Sequence, residues 1–221
     1  MKNGTTRRAR TYGKWATLLM VVASILLVTA CGNTETGKET AKVMKWDQMP
    51  AMEIDPDKNY MAEVKTNKGS FEIELFANEA PQTVNNFVFL ARQGFYEGIT
   101  FHRIIETFMV QTGDPNGDGT GGPGYTIPDE LDSERQYEAG IVAMAKTMEP
   151  NSAGSQFFIC TGADAMSLNA SPDYPIFGKV KSGMDVVEAI ASTPVEVNSM
   201  TGEYSQPSET VQIESIVIHE S

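Results

Sequence analysis

The stretch Phe101-His102-Arg103-Ile104-Ile105-Glu106-Thr107-Phe108-Met109-Val110-Gln111-Thr112-Gly113-Asp114 sets polar groups among strand formers. Read as a strand, it gives Arg103, Ile105, Met109 and Gln111 one parity, unless a bend breaks the register. One face would then offer a fixed cation, an apolar surface and an amide within mutual reach. Arginine suits such a site because it is always charged and carries its donors in a rigid fork. Taken alone, Arg103 reads first as an ordinary strand residue in a surface ion pair.

Other chemistries find less support. The only histidines are His102 and His219, and neither pairs with a nucleophile. Cys160 ends the apolar run Phe157-Phe158-Ile159-Cys160, so it reads as a small buried hydrophobe and an inert thiol. Asp114-Pro115-Asn116-Gly117-Asp118-Gly119 resembles the start of a calcium loop, but its twelfth position is Tyr125 rather than a bidentate Glu. The segment is better read as a Gly-rich connection. Nor does it open a helix pattern, as a phosphate-binding loop would.

The elements that must position these residues follow from periodicity. Residues 60–66 and 70–76 read as paired strands, with Phe71, Ile73 and Leu75 alternating with Glu72 and Glu74. Asn67-Lys68-Gly69 supplies their turn. Ala80-Pro81 opens a helix in which Val84, Phe87, Val88 and Ala91 share a face, and Gly94 stops it. A second helix is predicted over 184–191, with Val186, Val187 and Ile190 on one side, and a closing strand over 211–219. Many short strands with two helices predict a mainly β chain closed into a barrel.

The segment 101–114 looks like the signature of the cyclophilin-type peptidyl-prolyl cis-trans isomerases. Further matches follow in order: Gly119-Thr120-Gly121-Gly122, Ala143-Met144-Ala145, Gly154-Ser155-Gln156-Phe157-Phe158-Ile159 and Ile176-Phe177-Gly178-Lys179-Val180. The resemblance covers residues 58–221. It implies a closed eight-stranded antiparallel β-barrel capped by two α-helices. By position it implies Arg103 as the catalytic arginine and Gln111 as the amide that holds the substrate backbone. Phe108, Met109, Phe158 and Leu168 correspond to the apolar proline pocket. Gly119, Ala145, Lys146 and Gln156 fall on the adjoining groove. Rotating a peptide bond makes and breaks no covalent bond, so the resemblance implies no nucleophile, metal or cofactor. A binding module that holds proline-containing segments with little turnover is the second reading.

The chain departs from the family pattern in places. Ser167 stands where a tryptophan is usual. Tyr174 stands at a usual histidine position, after an apparent insertion through Ala170-Ser171-Pro172-Asp173. Lys146 replaces a common asparagine. These differences bear on substrate preference more than on catalysis.

The 221 residues are 41% hydrophobic, with a formal net charge of −12. All the charge in residues 1–30 is positive: Lys2, Arg7, Arg8, Arg10 and Lys14. The remainder holds 12 basic against 29 acidic residues, which argues against a nucleic-acid partner. A basic start, a short apolar run over 15–30 and the ending Val28-Thr29-Ala30-Cys31 resemble a bacterial lipoprotein signal peptide. The resemblance implies cleavage before Cys31, lipid on its sulfur and a place on the outer face of the cell membrane. The other reading of this segment is an uncleaved anchor helix. Residues 31–57 read as a tether, with Trp46, Met49 and Met52 as apolar exceptions able to dock. Expected partners are proline-containing exported polypeptides and the membrane, with the chain a monomer.

Overall fold

A computed structural model describes residues 44–221. The signal segment 1–30, Cys31 and residues 32–43 lie outside the described residues.

Strands β1 (Tyr60–Thr66) and β2 (Gly69–Leu75) form the predicted hairpin, in register from Tyr60 opposite Leu75 to Thr66 opposite Gly69. Tyr60, Ala62, Val64, Phe71, Ile73 and Leu75 point inward, as the alternation requires. Helix α1 (Pro81–Arg92) follows, then β3 (Arg103–Ile105), β4 (Met109–Thr112), β5 (Ile141–Met144), β6 (Phe157–Cys160) and β7 (Ile176–Ser182). Helix α2 (Met184–Ala191), β8 (Val195–Val197), β9 (Tyr204–Pro207) and β10 (Ile213–Glu220) complete the chain. Eight strands form one antiparallel sheet in the order β10-β1-β2-β7-β5-β6-β4-β3.

The expected eight-stranded antiparallel sheet is present as a half-barrel. Its outer strands β10 and β3 share no ladder. They are laced beside β3, by a bridge between Thr100 and Gln212 and by backbone bonds from Gly98 N to Ile213 O, Ile213 N to Ile99 O and Phe101 N to Val211 O. Two further elements were not expected. A 3-10 helix, Ala163–Ala170, adds a third helix. β8 and β9 form a separate two-stranded sheet whose strand β9 lies along β3.

The sheet has two apolar faces. Ile104, Val110, Val142, Met144, Phe157, Ile159 and Phe177 face the main core. There α1 buries Val84, Phe87, Val88, Leu90 and Ala91, the predicted face among them. Phe87 meets Phe157 edge-on at 5.5 Å and Phe177 at 5.3 Å, contacts that contribute roughly 0.5–1.5 kcal/mol each beyond area burial. On α2, Val187 and Ile190 are buried and Val186 packs at the margin. The alternate residues Met109, Ile141, Ala143, Phe158, Cys160 and Ile176 form a second cluster on the opposite face.

The later part of the predicted tether is docked on the domain. Trp46 packs edge-on against Phe89 at 5.3 Å and donates its backbone N–H to Pro123 O at 2.9 Å. Asn85 of α1, 3% exposed, accepts from Glu53 N (2.8 Å) and Ile54 N (3.3 Å) and donates to Ala51 O (2.9 Å). Ile54 is buried, whereas Met52 stays exposed. A buried amide that uses both its ends on one segment fixes that segment in place.

Candidate active site

The signature segment is not one strand but a tight hairpin. β3 and β4 are joined through residues 106–108, and the register sets Arg103 opposite Gln111 and Ile105 opposite Met109. The turn preserves the predicted parity because directly opposed residues of an antiparallel pair project to the same side. The row continues across the sheet, with Gln111 opposite Phe158 and Phe158 opposite Ala143. Met109 and Phe158 are thereby brought to the second apolar cluster, with Phe108 and Leu168 packed against its edge. The 3-10 helix carries Leu168. Tyr174 meets Phe158 edge-on at 5.5 Å and an interplanar angle of 87°. The Tyr137 hydroxyl donates to Tyr174 O at 2.7 Å and accepts from Tyr174 N at 3.0 Å, which fixes that backbone. Ser167 turns outward and donates its hydroxyl to Asp164 O at 2.6 Å.

Arg103 borders this apolar floor. Its Nη1 lies 3.5 Å from Met109 Sδ, and its Cζ is 5.9 Å from the centroid of the Phe108 ring. Its Nε and Nη2 donate to the two carboxylate oxygens of Glu203 at 2.6 and 2.7 Å. The Arg103 hydrogen bonds hold the Glu203 carboxyl below its ordinary range, against the opposing effect of burial, with Ser205 and the guanidinium charge adding to the shift.

A groove of ≈ 490 Å³ adjoins the floor, bordered by Gln111, Gly119, Ala145, Lys146 and Gln156. Gln156 donates to Gly119 O (3.0 Å) and Gly121 O (2.9 Å) and accepts from Gln111 Nε2 (3.0 Å). This leaves Gln111 Oε1 as an acceptor at the groove with no donor among the described residues. Asp114 is 1% exposed and accepts from the backbone of Asn116, Asp118 and Gly119. The calcium-like sequence is thus a loop folded on its own carboxylate. Gly121 is needed here because a Cβ would run into Asp114 Oδ1.

Lys146 borders the groove, but its ammonium is turned away from it. The side chain is 2% exposed and bonds Asp129 at 2.8 Å and Asp173 at 3.1 Å. Burial would lower its pKa, but the two carboxylate hydrogen bonds outweigh that and raise it. Asp173 belongs to the apparent insertion, so two departures from the family pattern meet in one ion cluster. Cys160 is buried, and burial pushes its thiol up to about 12. Burial lowers the pKa of His102, whose ring nitrogens have no partner among the described residues.

Sequence reasoning missed Glu203, Tyr137 and Lys45. Glu203 and Tyr137 act through side-chain contacts with residues far along the chain, which no local pattern marks. Lys45, in the docked segment, lines the groove.

Residues 61–218 match the model of the cyclophilin type peptidyl-prolyl cis-trans isomerase family. Peptidyl-prolyl cis-trans isomerase B of Streptomyces anulatus is 38% identical over 174 residues, 71% of this chain and 95% of that protein. Peptidyl-prolyl cis-trans isomerase A of Mycobacterium tuberculosis is 39% identical over 175 residues, 71% of this chain and 91% of that protein. A crystal structure of a cyclophilin type peptidyl-prolyl cis-trans isomerase of Cryptosporidium parvum superimposes with a TM-score of 0.65 at 32% identity. It covers 74% of this chain and 99% of that one. A second structure of that protein was determined in the presence of the dipeptide Ala-Pro. With a family match across most of its length and a cyclophilin fold, this chain belongs to the cyclophilin-type peptidyl-prolyl cis-trans isomerases and is an isomerase enzyme.

Proposed function

We propose that the chain accelerates Xaa-Pro isomerisation in exported polypeptides at the outer face of a membrane, with Arg103 as the catalytic residue. One observation carries the assignment of Arg103. Its Nη1 lies at the edge of an apolar floor while the rest of the guanidinium is engaged elsewhere. Twisting a peptide bond costs ~18–20 kcal/mol because resonance is lost. At the twisted state the prolyl nitrogen regains a lone pair, and an N–H aimed at it stabilises that state more than the planar one. Phe108, Met109, Phe158 and Leu168 hold the proline ring, and Gln111 Oε1 accepts from the substrate backbone. The structure of the Cryptosporidium relative determined in the presence of the dipeptide Ala-Pro supports a proline-containing substrate.

The extracytoplasmic placement rests on residues 15–31, whose apolar run and Val28-Thr29-Ala30-Cys31 ending fit a lipoprotein signal. Uncatalysed X-Pro isomerisation takes tens to hundreds of seconds, slow enough to limit folding after export.

The test is a protease-coupled assay on a short Xaa-Pro peptide. Arg103→Ala should lose at least about tenfold in kcat/KM, since each ~1.4 kcal/mol of lost transition-state stabilisation costs a factor of ten. Its circular dichroism should match that of the parent. A folded Arg103→Ala protein with the parent's activity would remove Arg103 from the mechanism.

A further inference from the structure

Strand β3 is the edge of the main sheet, and Arg103 is its first residue. A long arginine side chain on a three-residue edge strand has many rotamers and many solvated alternatives. Here the β8–β9 hairpin lies along that edge, and Glu203 closes on the guanidinium from the hairpin side. The backbone that carries the carboxylate is itself held. Glu203 N donates to Thr201 Oγ1 at 3.3 Å, and Glu203 O accepts from Asn198 N at 2.7 Å. The next residues, Tyr204–Pro207, pair back onto Val195–Val197.

The edge on which the carboxylate sits decides what the pair does. A guanidinium has five N–H donors in a plane. Glu203 engages Nε and Nη2, the edge away from the floor, and leaves Nη1 beside Met109. A carboxylate on Nη1 would compete with the prolyl nitrogen, whereas one on the opposite edge fixes the plane and leaves Nη1 with only the weak acceptor Met109 Sδ at 3.5 Å. We propose that Glu203 is a positioning residue for isomerisation, a carboxylate on the β8–β9 hairpin that holds Arg103 with Nη1 facing the proline floor. The proposal rests on Arg103 being the catalytic guanidinium.

The experiment measures kcat and KM for a short Ala-Pro peptide in the full chain and its variants, with the unfolding midpoint of each. Glu203→Ala and the isosteric Glu203→Gln should each lower kcat by about tenfold or more, the scale of a misaimed reacting group. KM and the unfolding midpoint should stay close to those of the parent, an outcome that a merely structural role would not give. In an Arg103→Lys background, where no fork can form, adding Glu203→Ala should cost less than about twofold, because residues acting as a unit are non-additive. The proposal is overturned if Glu203→Ala equals or exceeds the parent in kcat. It is also overturned if the loss is the same in the Arg103→Lys background. Full activity in Arg103→Ala would instead overturn the reading of Arg103, and the two failures are told apart by which variant retains its rate.

Discussion

Gln156 joins two parts of the groove through one amide. Its Nε2 holds Gly119 O and Gly121 O, and its Oε1 accepts from Gln111. Leucine fills a similar volume and makes none of these bonds. Gln156→Leu should therefore release the Gly-rich loop and let the Gln111 amide turn. A net hydrogen bond contributes about 1 kcal/mol, so a KM for Xaa-Pro peptide raised by at least about fivefold is expected, with an unfolding midpoint lowered by at least roughly 2–4 °C. Saturation kinetics on the parent and the variant check this. At this scale the sequence was legible where side chains share a strand face. Arg103 and Gln111 were read onto one face by parity, and the hairpin kept them there because its register sets them opposite each other. Lys146 was legible only as a groove position. That its ammonium turns to Asp129 and Asp173 depends on carboxylates 17 and 27 positions away. Glu203, 100 positions from Arg103, left no local sign at all.

Among the elements, periodicity revealed α1, α2 and the β1–β2 hairpin, but it did not reveal how their ends are satisfied. Helix α1 starts after Ala80, which offers no side-chain cap. Its first N–H groups are instead capped from a distant loop. Glu130 accepts from Gln82 N at 3.0 Å, from Thr83 N at 2.8 Å and from the Thr83 hydroxyl at 2.7 Å. A carboxylate at a helix N-terminus satisfies orphan donors and also faces the positive end of the helix dipole. Glu130→Ala should thus destabilise the protein by about 1 kcal/mol, the usual cost of a lost N-cap. For a domain of this size that corresponds to a Tm lowered by roughly 2–4 °C, readable by calorimetry. Isomerase activity below the transition should be retained, because the hydrogen bonds of Glu130 go to Gln82 and Thr83 of α1 and not to the groove residues. The 3-10 helix and the β8–β9 hairpin escaped notice for a related reason. Ala163–Ala170 has little helical amphipathicity, with Ala165 its one buried residue, and β8 is only three residues long. Both are held by the domain they pack on more than by their own pattern.

For the molecule as a whole, charge and addressing belong together. The body beyond residue 30 is strongly acidic, and an anionic membrane surface repels it rather than attracting it. A domain of that charge stays at a membrane only if something apolar holds it. A diacylglyceryl group on the Cys31 sulfur, as the lipoprotein reading implies, would supply two acyl chains, and buried methylenes contribute about 0.8 kcal/mol each, enough for stable anchoring where one chain is marginal. From Cys31 to Trp46, where the chain is docked, is a short run. Cys31→Ala removes the only thiol in residues 1–57 and leaves the apolar run intact. When cells expressing the full chain are fractionated, the parent should sediment with membranes in both low and high salt. Cys31→Ala should lose lipid labelling and move to the soluble fraction with its isomerase activity retained, because residues 44–221 contain the whole site. A variant that remains in the membrane fraction without lipid would mean that the apolar run itself is the anchor.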